Sequence, residues 1–61
     1  MSYLDYVYAI IKDVCNGMDA IYEDYIIRTV GEAGLCELRG AKLLEACGVV
    51  NGRQLYTLVA K

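Results

Sequence analysis

The dipeptide Asn51-Gly52 constrains the fold most, because both residues readily adopt the positive backbone φ that a two-residue hairpin turn requires. Largely apolar runs flank it at residues 49–50 and 55–59. The sequence therefore predicts a C-terminal β-hairpin. The sequence does not determine where the first strand of this hairpin starts, because residues 43–47 (Leu-Leu-Glu-Ala-Cys) favour a helix by propensity. The run beyond the turn is nevertheless long enough to pair with them as a strand.

Residues 3–16 carry the clearest helical pattern, with apolar side chains recurring at the i, i+3, i+4 spacing of a single helix face. Ser2 is a good N-cap, and Asp5 three residues later completes a capping box. Asn16-Gly17 tolerates the left-handed conformation that ends many helices. The predicted inward face consists of Leu4, Val7, Tyr8, Ile11, Val14 and Cys15.

Two further helices are predicted between this first helix and the hairpin. The second helix starts after Asp19, which can cap it, and ends in the glycine-containing turn at residues 31–34. The third helix runs from about Ala33 and ends at Gly40, or continues to Gly48. The predicted inward face of the second helix consists of Ile21, Tyr22, Tyr25, Ile26 and Val30.

The residue inventory argues against an enzyme. The chain has no histidine, and Ser2 is its only serine, so serine-type and Cys-His nucleophilic catalysis lack their parts. Its acids lie on predicted helix surfaces, where solvated side chains are the ordinary interpretation, and its six glycines form no phosphate-binding loop. We expect no cofactor and no small-molecule substrate.

The three cysteines, Cys15, Cys36 and Cys47, are odd in number and contain no CxxC pair. A zinc site normally needs four ligands, which this chain cannot supply without histidine unless acids take part. We therefore expect no metal, and interpret each cysteine as a small buried hydrophobic residue of a reducing compartment. A redox switch or an intermolecular disulfide is the alternative interpretation, and the sequence does not select between these two.

With 61 residues, of which 57% are hydrophobic, the chain is expected to form one domain over residues 1–61 and not to be disordered. Its longest run without a charged residue is seven positions, against about 20 for a spanning helix, so no membrane association is expected. Asp5 is acidic and no base precedes Lys12, unlike in a signal peptide. These features predict a cytoplasmic protein.

Three helices followed by a hairpin give an α+β chain whose element order resembles that of a winged-helix domain. The resemblance is carried by residues 43–58, with an apolar pair at Leu43-Leu44, a wing tip at Gly52-Arg53, and a Tyr-Thr-Leu return at residues 56–58. In overall appearance the chain also resembles small uncharacterised proteins carried by bacterial mobile elements.

The winged-helix resemblance implies binding of double-stranded DNA, with the third helix in the major groove and the wing on the backbone. The residues implied are Arg39, Lys42 and Arg53. Residues 1–34 carry six acids and two bases, whereas residues 35–61 carry two acids and four bases, so the implied face is the basic end of the chain. The pI of 4.8 argues against DNA binding, because the pI of a DNA-binding domain is usually above about 9. Ordinary solvated surface is the alternative interpretation of these three bases.

The first helix also carries more apolar surface than a small core can bury. Tyr3, Tyr6 and Ile10 form a second apolar line beside the inward face. A contiguous patch of this kind marks an interaction surface, whereas tyrosines exposed singly would carry no meaning. The sequence thus offers a second function, a protein-interaction module that forms a homodimer or binds a partner through this surface without binding DNA.

Overall fold

The computed structural model describes residues 2–16 and 18–60. They form two helices and a three-stranded antiparallel sheet, so the α+β class is confirmed. The sheet has the strand order β1-β3-β2. The elements are, in chain order, α1 (Tyr3–Val14), β1 (Ile21–Tyr22), α2 (Glu23–Gly40), β2 (Leu44–Val50) and β3 (Arg53–Leu58).

The first helix and the hairpin form as the sequence predicts. The Ser2 hydroxyl accepts a hydrogen bond from the Asp5 backbone N–H at 3.1 Å, and the Asp5 carboxylate accepts one from the Ser2 N–H at 3.4 Å, which closes the capping box. At the hairpin turn, Asn51 and Gly52 adopt φ values of 53° and 77°. The predicted helix stop at Asn16-Gly17 includes a position outside the described residues.

The winged-helix-like arrangement of three helices followed by a hairpin is wrong, because the described residues form two helices and a third strand. Ile21 and Tyr22, expected inside the second helix, are extended instead and pair with Tyr56 and Leu55 of β3. The second helix accordingly starts after Tyr22 rather than at an Asp19 cap.

The predicted break between the second and third helices is present as a kink at Gly31, but not as a loop between two separate helices. Gly31 takes non-helical angles (φ 80°, ψ 171°), yet helical residues adjoin it on both sides and no loop separates them. The helical run ends at Gly40, and the residues 44–47 that sequence propensity left undecided form the start of β2. Pairing of Leu44 with Leu58 of β3 overrides their helix propensity.

The core lies between the two helices and one face of the sheet. On α1, Val7, Tyr8 and Ile11 are buried, as the helical periodicity predicts. Tyr25, predicted to point inward from the second helix, is exposed instead. Neither helix in the described part of the chain is long and apolar enough to cross a membrane. The buried residues are Val7, Tyr8, Ile11, Ile21, Ile26, Leu35, Leu38, Leu43, Leu44 and Tyr56.

Candidate functional site

Two of the three bases predicted to contact DNA lie together at the end of α2. Arg39 is in the last helical turn, and Lys42 follows in the turn toward β2 with a φ of 60°. The Lys42 backbone N–H donates to the Arg39 carbonyl at 3.0 Å, which holds the two residues close. Both are exposed, and the ion pair found among residues 2–16 and 18–60 involves neither.

Arg53 lies at the far end of the hairpin from this pair. It starts β3 opposite Val50, whereas Leu44 at the near end of β2 pairs with Leu58. Six residues of strand at about 3.3 Å each separate the two ends by about 20 Å. The structure therefore does not gather Arg39, Lys42 and Arg53 into one compact patch.

The charge of Arg53 is balanced by a neighbour on α2. Its Nη2 donates to both carboxylate oxygens of Asp24, at 2.8 and 3.1 Å, and its guanidinium lies 3.7 Å from the ring centroid of Tyr22. The hydrogen bond from Arg53 lowers the pKa of Asp24, which keeps that carboxylate ionised. Both side chains are about half exposed, so this contact orients the hairpin tip more than it stabilises the fold.

Glu23 is a second acid beside Asp24 at the start of α2. The Tyr56 hydroxyl donates to Glu23 Oε2 at 3.0 Å. Burial, followed by the neighbouring Glu23, raises the pKa of Tyr56, so the hydroxyl keeps its proton and remains a donor. The positive N-terminal end of the α2 dipole also stabilises the negative charges of Glu23 and Asp24. Acids thus stand beside the basic hairpin tip and reduce its attraction for phosphate.

Arg28 is a base near the hairpin tip that the sequence analysis did not single out. It is exposed on α2, one turn after Asp24. A cavity of about 260 Å³ opens beside it, and its lining includes Met18, Tyr25 and Arg53. The spacing of Asp24 and Arg28, four residues apart on a helix, was a usable signal, because such residues are surface neighbours.

The apolar line predicted on the first helix is present in the structure. Tyr3 and Tyr6 are 49% and 56% exposed, and Ile10 is half-buried. The three residues are spaced at i, i+3 and i+7 and lie beside the buried stripe of Val7 and Ile11, so they form one continuous strip along α1. We call Tyr3, Tyr6 and Ile10 the α1 surface.

β2 is a second exposed apolar element, which the sequence analysis did not single out as a surface. It lies at the edge of the sheet, and of its seven residues only Leu44 is buried. Val49 is 62% exposed, the highest exposed fraction among the large hydrophobic residues that stand out at the surface. The uncharged run at residues 46–52 was the available signal, but sequence alone does not tell an edge strand from a central one.

The expectation of three buried cysteines is wrong for two of them. Cys15 is partly buried and packs against the core, whereas Cys36 on α2 and Cys47 on β2 are exposed, and all three are free thiols. Within the described residues, no group of three or more potential ligands is placed to hold a metal ion. Burial raises the pKa of the Cys15 thiol, which makes it a poor nucleophile.

Comparison of the chain with protein-family models, with curated proteins and with solved structures found no match.

Proposed function

We propose that this chain is a non-enzymatic protein-interaction module, and that its α1 surface is the contact surface for a second copy of the chain. The observation that carries the proposal is the half exposure of Tyr3 and Tyr6 next to Ile10 on a single helix. Tyrosine is enriched at interface cores because its ring buries a large apolar area while its hydroxyl stays hydrated. The free thiols suit the reducing cytoplasm, where we propose that the protein works.

A second copy fits this surface for a geometric reason. An apolar strip that runs along a helix meets an identical strip when two helices pack antiparallel about a two-fold axis. A standard interface buries about 800 Å² per partner, which is about one fifth of the 4033 Å² that this chain exposes. A dimer of this size therefore needs the strip and its immediate surroundings.

Tyr6→Asp should weaken this self-association, because a carboxylate would have to be desolvated in the middle of the apolar contact. We expect the dissociation constant of the α1 contact to rise by about tenfold or more, seen as a lower weight-average mass in sedimentation equilibrium. Circular dichroism should show unchanged helix content, since Tyr6 is exposed.

Tyr25→Asp is the matched control, because it introduces the same change at another exposed tyrosine on a different helix. It should leave the weight-average mass unchanged. The α1 contact is refuted if wild type and Tyr6→Asp have equal masses over the whole concentration range, or if both variants lower the mass equally.

Binding of double-stranded DNA is the second candidate function, and the exposed pair Arg39 and Lys42 favours it. A labelled random duplex titrated at about 50 and 200 mM salt gives the salt slope by fluorescence anisotropy. Replacing both residues by alanine should flatten that slope by about two units if each contacts a phosphate. Arg53→Ala should flatten it by about one unit if the guanidinium exchanges Asp24 for a phosphate. No binding at low salt would reject this candidate.

A further inference from the structure

The exposed edge of β2 has the features of a strand that pairs with another strand. β2 has β3 on one side, and no described strand lies on the other. Such an edge presents unpaired backbone N–H and C=O groups, and natural proteins usually protect it with charged side chains or proline. Here Glu45 is the only charged residue of the strand, and residues 46–50 are uncharged.

The side-chain pattern of β2 is changed by a bulge. The register with β3 shifts between Ala46 and Gly48. Ala46 lies opposite Tyr56, and Val49 lies opposite Gln54, two positions away on β3. Residues opposite each other share a face, as do residues two apart on one strand. Ala46 and Val49 are therefore on the same face although they are three residues apart.

The same reasoning places Glu45 and Val50 together on the other face. Glu45 lies opposite Thr57, and Val50 lies opposite Arg53, four positions away on β3. Two copies of β2 can thus lie antiparallel with Glu45 facing Val50 of the other copy and Ala46 facing Val49. In this register the two residues of each facing pair lie on the same face of the sheet, so the edge is complementary to itself.

The charges of the sheet favour this antiparallel arrangement. Glu45 of one copy lies beside the uncharged Val50 of the other. A parallel arrangement would instead align Glu45 with Glu45.

We propose that β2 is a second self-association surface, at which two copies pair antiparallel and join their sheets into one six-stranded sheet. This register places Cys47 opposite Gly48 of the other copy, next to the two-fold axis. The two Cys47 Cα atoms are then offset by one residue, about 3.3 Å, across a strand spacing of about 4.8 Å, so they lie about 6 Å apart, within the range that a disulfide spans. The contact does not require the α1 surface, which belongs to a different element.

Disulfide trapping tests this geometry. In one variant Cys47 is the only cysteine (Cys15→Ala, Cys36→Ala), and in the matched control Cys36 is the only cysteine (Cys15→Ala, Cys47→Ala). Both thiols are exposed. Diamide oxidises two thiols to a disulfide and takes up their two electrons and two protons. We expect covalent dimers to form about tenfold faster or more from the Cys47 chain. Equal rates, or no dimer from the Cys47 chain, would overturn the proposal.

A second comparison separates edge pairing from chance collision. Val49→Lys in the Cys47 chain adds a charge to the edge and should slow trapping about tenfold. Ala33→Lys adds the same charge at an exposed position of α2 and should not. Equal slowing by both variants would show that charge repulsion alone is responsible and would refute edge pairing.

Disulfide trapping through Cys47 is expected to be independent of the α1 contact. Tyr6→Asp in the Cys47 chain should leave trapping efficient, because the β2 edge is intact. Loss of trapping in this variant, with its fold retained, would refute a separate β2 surface. Conversely, if Tyr6→Asp leaves both the mass and the trapping unchanged, the α1 proposal fails and the β2 proposal stands.

Discussion

Leu38→Ala is expected to lower the free energy of unfolding by about 2–5 kcal/mol, because truncation of a buried leucine loses transfer free energy and leaves a cavity. Leu38 is 0% exposed, and it belongs to the core cluster that joins both helices to the sheet. At about 0.05–0.15 kcal/mol per residue, a chain of 61 residues has a total stability of roughly 3–9 kcal/mol. The substitution thus removes a large share of the stability of the whole domain.

Urea denaturation followed by circular dichroism measures this loss, with Met18→Ala as the matched control. Met18 is 47% exposed and belongs to neither proposed contact surface, so its truncation should change the free energy of unfolding by less than about 0.5 kcal/mol. Similar midpoints for Leu38→Ala and wild type would mean that α2 does not pack on the core as described. The denaturation is measured at one protein concentration, since self-association raises apparent stability.

Local patterns predict the elements whose interactions are close in sequence. α1 follows from a helical period and from a cap between Ser2 and Asp5, three residues apart. The hairpin follows from the positive φ that Asn51 and Gly52 supply at its turn. In both cases the residues that determine the structure are neighbours, so the sequence contains the whole signal.

The elements that sequence analysis missed depend on contacts between distant residues. β1 exists because Ile21 pairs with Tyr56, and two residues carry no strand signal of their own. In the same way, the pairing of Leu44 with Leu58 turns a helix-favouring segment into a strand. Propensity cannot anticipate such pairs, because their stabilisation comes from a partner elsewhere in the chain.

The candidate site shows the same division. The half-exposed Tyr3 and Tyr6 follow from the helical period of α1 alone. The neutralisation of Arg53 does not, because its partner Asp24 is 29 residues away on another element. A count of bases in the C-terminal half therefore overstated the positive charge available at the hairpin tip.

Gly34→Ala should also destabilise the domain, although alanine favours a helix by about 1 kcal/mol over glycine. A Cβ at this position would lie 2.6 Å from Val30 Cγ2 and 2.7 Å from Val30 Cβ, too close for van der Waals contact. It would also lie 3.3 Å from Val7 Cγ1, at the packing contact between α1 and α2. Overpacking of this kind typically costs about 1–3 kcal/mol, which outweighs the gain in helix propensity.

Gly40→Ala is the matched control, because the substitution is the same, the helix is the same, and no atom lies within 4 Å of the added Cβ. It should leave the midpoint of urea denaturation unchanged or raise it. Only Gly34→Ala is thus expected to lower the midpoint, and this difference isolates the close approach of the helices at Gly34 from helix propensity. Equal stabilisation by both would show that α1 and the bend of α2 do not need a glycine at their contact, and that Val30 packs elsewhere.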